Sequence, residues 1–186
     1  MSNSKSELTK HLVEFTETSA TYEDLVVLTP RLPYEGNWGY LGQAAWKRDG
    51  PTAPPRGFIL MAAEGSDALG DIVDWEPVLR SVEPTPFTTW RGVTRDPKYV
   101  CGGDFFKLGT EKPTAAETAG IRAIRRDLVS EVKPENLVWS CRLPFDTLSI
   151  YDVAVVTGVV IPTGAFVSTT APSGINYETI PVLRVE

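Results

Sequence analysis

Apolar positions along this chain change period from its first half to its second. Leu8, Leu12 and Phe15 recur at helical spacing within residues 5–16 and predict a short helix capped by Ser4 or Ser6. A second helix is predicted from Ser66 to Val82, with Leu69, Ile72, Val73, Trp75, Val78, Leu79 and Val82 as its apolar stripe and Pro77 as a kink. A third is predicted over Thr114–Val132, where Thr114 and Glu117 stand at capping-box spacing. Short β-rich runs surround these segments. Strands are expected at Leu25–Leu28, Phe87–Val93, Asp104–Leu108 and Leu137–Leu143, and Phe58–Ala63 reads as either a short strand or the start of a helix. The last fifty residues read as strand almost throughout: Val153–Ile161, Ala165–Thr170 and Tyr177–Val185, divided by turns at Pro162-Thr163-Gly164 and Ser173-Gly174.

Residues 33–57 break this patterning. They are rich in Gly, Pro and Trp and read as a loop or a covering flap. Tyr34, Trp38, Tyr40 and Trp46 in that stretch suit either a core cover or a recognition surface. No internal repeat is legible. Helices early and strands late imply an α+β fold. The expected division is an N-terminal covering segment, 1–65, and a core, 66–186, within one compact domain.

Composition removes several function classes. With 42% hydrophobic and 23% charged residues, the chain has the make-up of an ordinary globular domain. Its net charge of −6 argues against nucleic acid and anionic membranes as partners, since both attract basic patches. His11 is the sole histidine, and Cys101 and Cys141 stand alone, so no metal-ligand spacing exists and no metal cofactor is expected. An imidazole-based triad would depend on His11 near the N-terminus. The N-terminal segment lacks the pattern of a secretory signal, and a cytoplasmic location is expected. Arg122, Arg125 and Arg126 are balanced by Glu117, Asp127 and Glu131, as on a solvated helix face.

The order of the later segments carries a resemblance. A strand holds Trp90-Arg91-Gly92, a loop holds Gly102-Gly103, a short strand leads to Leu108-Gly109-Thr110, and a helix and a strand follow. Val159-Val160-Ile161-Pro162-Thr163-Gly164-Ala165-Phe166 comes next, and then a closing strand. Over roughly residues 66–186 this resembles the mono-ADP-ribosyltransferase superfamily of toxins and phage enzymes. The resemblance implies an ADP-ribosyltransferase-like core of two packed small β-sheets with N-terminal helices. It implies NAD as substrate, with Arg91, Gly92, Thr110 and Gly158 at the NAD site. The family's Glu-x-Glu position reads Val156-Thr157-Gly158, so the resemblance is degenerate at the catalytic acid. Asp152 and Glu111, followed by Asp146 and Glu117, are the candidates to replace it. A second alignment, with Phe166-Val167-Ser168-Thr169-Thr170 as the family's aromatic-x-Ser-Thr-Ser element, leaves too few residues for the rest of that fold.

Two functions remain open on this reading. One is transfer of ADP-ribose from NAD to a protein acceptor. The other is a non-catalytic phage or effector protein that uses the fold as a structural or protein-binding module, acting in the host cytoplasm or a virion. Both expect a protein partner. Arg91 beside Trp90 suits either a structural or a ligand-holding role, and Gly102-Gly103 reads as a turn.

Overall fold

The computed structural model describes residues 7–50, 54–81, 85–134, 136–142, 147–153, 160–161, 163–170 and 179–184. These residues form eighteen strands and one short 3-10 turn, Arg126–Leu128, with no α-helix among them. The strands fall into three groups of identical connectivity. Repeat one holds β1 (Leu8–Glu14), β2 (Glu17–Tyr22), β3 (Leu25–Thr29), β4 (Gly39–Tyr40), β5 (Ala44–Lys47) and β6 (Arg56–Ala62). Repeat two holds β7 (Leu69–Gly70), β8 (Ile72–Ser81), β9 (Phe87–Thr94), β10 (Tyr99–Cys101), β11 (Asp104–Leu108) and β12 (Ala123–Arg125). Repeat three holds β13 (Val129–Val132), β14 (Asn136–Arg142), β15 (Thr147–Asp152), β16 (Val160–Ile161), β17 (Val167–Thr170) and β18 (Ile180–Arg184).

In every repeat the first, sixth and fourth strands make one antiparallel sheet in that order, and the second, third and fifth make another. The pairing between second and third strands slips by one residue at the same place each time. The slip falls between Thr18 and Ala20, between Pro77 and Leu79, and between Leu137 and Trp139. A β-bulge kept at one position of three repeats is a feature of the fold, not a local defect. The fifth strand of each repeat packs on the second strand of the one before: β11 on β2, β17 on β8, and β5 on β14. The relation closes on itself, as a pseudo-threefold axis requires.

Two shared cores lie along that axis. The second-third-fifth sheets bury Tyr22, Leu25, Val27, Phe87, Phe106, Trp139, Leu148, Ile150 and Phe166 together. The first-sixth-fourth sheets bury Leu8 and Leu60, Leu69 and Ile124, and Val129 and Leu183, one pair from each repeat. Volume is traded around the axis. Register makes Ala45, Phe106 and Ser168 equivalent, and likewise Ala20, Leu79 and Trp139. One repeat supplies a large side chain where another supplies a small one, which keeps the common core filled.

The α+β expectation is overturned, and the ADP-ribosyltransferase-like core with N-terminal helices goes with it. The helix read near the N-terminus is β1, whose residues Leu8 to Glu14 pair with Ala62 to Arg56. The helix read over 66–82 is β7 and β8. Two register slips in β8 move its buried positions to Trp75 and Ser81, with Ile72, Val78 and Leu79 half-buried, a spacing near three that imitates a helix. Pro77 is tolerated because β8 is the outer strand of its sheet.

The capping box does form. Glu117 N–H donates to Thr114 Oγ1 at 3.2 Å, and Thr114 N–H donates to Glu117 Oε1 at 3.1 Å. Only a turn follows, because Gly120 enters the left-handed region at φ +90° and Ile121 then bridges to Tyr40. The stretch 33–57, read as loop, contains β4, β5 and the start of β6. Of the strand expected at Val153–Ile161, β16 forms the end and residues 154–159 lie outside the described residues, as does the turn expected at Ser173-Gly174.

Candidate functional site

Repeats two and three meet around one buried carboxylate. Asp104 opens β11 and is fully buried, opposite Arg91 near the end of β9. Arg91 Nε donates to Asp104 Oδ1 at 2.9 Å and Nη2 to Oδ2 at 3.1 Å, a fork-to-fork pair. Oδ2 also accepts from the backbone N–H of Ser168 and from its hydroxyl, both at 2.7 Å. That hydroxyl lies 2.8 Å from Thr89 Oγ1. A buried carboxylate needs such partners, since its desolvation costs several kcal/mol when uncompensated (about 3–5 once one partner is removed). The network therefore locks Arg91 to the junction.

Above this network lies a cleft of about 370 Å³. Its wall from repeat two carries Arg91, Gly92, Thr94, Tyr99 and Cys101, and its far wall carries Val167, Thr179 and Pro181. Arg126, in the 3-10 turn that links the two repeats, and Glu131, on β13, complete the lining. Arg126 Nε donates to Pro97 O at 2.8 Å, and its Nη1 lies 3.5 Å from Glu131 Oε1. Burial, with Asp104 nearby, pushes the Cys101 thiol up to about 11, so it stays protonated at neutral pH. Among the described residues, no cluster of three His, Cys, Asp or Glu side chains is placed to hold a metal ion.

The residues singled out from sequence do not converge. Arg91 and Gly92 share the cleft. Thr110 and Glu111 are exposed beyond the other end of β11, where Leu108 pairs with Phe87. That end lies roughly 13 Å from the Arg91–Asp104 pair at the ordinary rise of a strand. Asp152 closes β15 opposite Asn136, just as Arg91 on β9 lies opposite Glu76. Asp152 is therefore the pseudo-threefold mate of Arg91, one repeat away and in a different environment. Burial raises its carboxyl to about 6, although Asn136 Nδ2 donates to Oδ1 at 2.6 Å. Glu117 is held by Lys107 at 2.8 Å and by its cap. Asp146 and Gly158 lie outside the described residues. Asp104, Arg126, Tyr99 and Glu131 carry no sequence signal of a common site; the helix face expected to hold Arg126 and Glu131 is instead a 3-10 turn and β13.

Gly102 and Gly103 answer to packing. A Cβ on Gly103 would lie 2.7 Å from both Ala165 Cβ and Phe166 O, and one on Gly102 would collide with Leu41. Gly42, Gly103 and Ala165 hold equivalent places in the three repeats and crowd together, a Cβ on Gly42 lying 3.2 Å from Ala165 Cβ and 3.6 Å from Gly103 Cα. Small residues are required where three chains approach one axis.

The fold and this junction define a pseudo-threefold, all-β module with a cleft between two of its repeats. No family model matches the chain, and no curated protein matches it. Among solved structures it is similar to the crystal structure of GNIP1Aa from Chromobacterium piscinae, with a TM-score of 0.72 at 18% identity. The likeness covers 96% of this chain and 37% of that one, so the chain spans little more than a third of that protein's length. At such identity the likeness is one of fold. No helix among the described residues is long and apolar enough to cross a membrane.

Proposed function

We propose that the chain is a non-catalytic binding module whose ligand site is the cleft between repeats two and three. One observation carries this reading. The arginine best placed to meet a ligand, Arg91, is already clamped by a fully buried Asp104. The clamp orients a guanidinium at the cleft wall and assigns the nearest carboxylate to structure. Glu111 and Asp152, the acids expected to replace the missing Glu, are both placed elsewhere, and the cleft thiol is held protonated. The arrangement suits holding a group, not transforming one. A module of this size recurring as a fraction of a longer chain suits a protein partner.

The test is incubation of the purified chain with NAD, with nicotinamide release followed by proton NMR, beside Arg91→Lys. No release is expected from either protein. Release by the native chain that disappears in the variant would overturn the non-catalytic reading.

A further inference from the structure

We propose that Arg125 is an acid-released clasp that holds the sheet of β7, β12 and β10 closed, and with it one wall of the cleft. Arg125 lies on β12, and its guanidinium takes three carboxylates. Nη2 donates to Glu7, Nη1 to Asp67 and Nε to Asp127. Each acid stands at the approach to a different repeat: Glu7 directly before β1, Asp67 just before β7, and Asp127 in the 3-10 turn before β13. One side chain thus ties the three repeats together where their first strands begin. The guanidinium side chain is only 15% exposed, whereas all three acids reach water.

The clasp sits on the sheet that needs it most. β7 is two residues long, and β10 and β12 are three each, against seven for β1 and β6 of repeat one. Ladders this short hold a sheet weakly. Asp67 adds to them. Its carboxylate bridges Arg125 on β12 and Lys98 at the turn into β10, and its backbone carbonyl accepts from the Tyr99 hydroxyl. Tyr99 and Cys101 of β10 and the neighbouring Arg126 line the cleft. The clasp therefore sets the shape of that wall. To this extent the inference deepens the binding-module reading and rests on it.

Acid removes one side of the clasp and leaves the other. Protonation neutralises the three carboxylates, while Arg125 and Lys98 keep their charge. So do Lys10 and Arg184, which share a recess with Glu7 and Asp127. Arg126, next in the chain, has Glu131 as its own acid. Arg125 is then a nearly buried cation among other cations, and it must move to water. Hydrogen bonds from Lys98 and then Arg125 hold the Asp67 carboxyl below its ordinary 3.8, and one from Arg125 does the same for Asp127. Both acids return to ordinary values once the sheet opens, so the open state binds more protons. The closed state has its full advantage above pH 3.8 and loses it as pH falls through the lowered values.

The experiment is amide hydrogen exchange of the full chain labelled with nitrogen-15, at pH 7 and pH 2.5. Each rate is divided by that of an unstructured peptide at the same pH. Two amides report on the clasped sheet: Arg125 N–H, which donates to Ala68 O, and Arg126 N–H, which donates to Lys98 O. Phe106 N–H donates to the uncharged Gln43 and reports on the rest of the fold. Protection of the two clasp amides is expected to fall about tenfold or more at pH 2.5 while that of Phe106 holds, since several ion pairs are lost at one sheet. Asp67→Asn should cost about threefold at the same two amides at pH 7, the worth of one exposed ion pair, and should lose less than the native chain on acidification. Asp67 is exposed, so this variant keeps the core, and an unchanged Phe106 amide checks it. Equal loss at all three amides would mean global acid unfolding and would overturn the proposal. Undiminished protection at pH 2.5, or native protection in Asp67→Asn at pH 7, would overturn it as well. These readouts involve no NAD, so failure of the clasp and failure of the non-catalytic reading, which shows as nicotinamide release, are told apart.

Discussion

Gln43 and Asp104 hold the same position in successive repeats, and each bonds the fifth strand of the repeat that follows. Gln43 Oε1 accepts from Phe106 N–H at 2.8 Å, and Asp104 Oδ2 accepts from Ser168 N–H at 2.7 Å. The third place around the axis is Phe166, which closes the junction with apolar packing. Gln43 is fully buried and also donates through Nε2 to Ser19 Oγ at 2.8 Å. Gln43→Leu should therefore cost about 1–3 kcal/mol, the penalty of stranding the Phe106 N–H. Chemical denaturation would show the loss as a lower midpoint with an unchanged slope.

Arg91→Ala leaves the carboxylate of Asp104 buried without its counter-ion. The expected loss is about 3–5 kcal/mol. Arg91→Lys should lose less, since it retains the charge while giving up the paired geometry. Ser168→Ala should cost about 1 kcal/mol, because the backbone donor to Oδ2 remains. Equal losses for the alanine and lysine variants at position 91 would contradict an electrostatic clamp.

Gly103→Ala tests the crowding at the axis. Its methyl would meet Ala165 Cβ and Phe166 O, both at 2.7 Å. Overpacking of this kind costs about 1–3 kcal/mol. Adding Ala165→Gly relieves the side-chain collision and leaves the backbone one, so thermal melts should show partial recovery.

Asp152 gives a pH signature of definite sign. Its folded-state carboxyl is raised to about 6, above the ordinary value of 3.8. The folded chain thus binds more protons than the unfolded one between those values. The stability this group contributes is full at the acid end and is lost as pH rises through 6. Asp67, Asp74, Glu117 and Asp127 are all shifted downward, chiefly by hydrogen bonds from Lys98, Lys112, Lys107 and Arg125, and act in the opposite sense. The difference between native chain and Asp152→Asn isolates the effect. The variant should gain stability relative to the native chain from pH 4 to 7, by on the order of 1–3 kcal/mol. A flat difference across that range would contradict the burial of Asp152.

Individual strands were legible in the sequence where alternation or β-branched runs were clean, as in β3, β9, β11 and β14. The architecture was not. Three repeats that share one core need complementary volumes, not similar residues: Ala45 answers Phe106 and Ser168 across the axis. Selection for filled space therefore erases the repeat from the sequence. Bulges did further damage, since the extra residue near Val78 gave β8 the spacing of a helix. The Thr114–Glu117 capping box was read correctly as a local contact, but Gly120 ends the turn before a helix can propagate. At the site, Arg91 was visible as a residue of interest, whereas its partner was not. Asp104 lies thirteen residues away, and only the β9–β11 register brings the two together.

The most direct test of the account is the side-chain nitrogen-15 spectrum of Arg91 in the presence and absence of NAD. If Asp104 holds Arg91 as described, the Arg91 Nε–H will exchange slowly with water. It will keep its position on addition of NAD beyond the shift seen with salt, and no nicotinamide signal will grow. A fast-exchanging Nε–H that moves saturably with NAD, accompanied by accumulating nicotinamide, would contradict it.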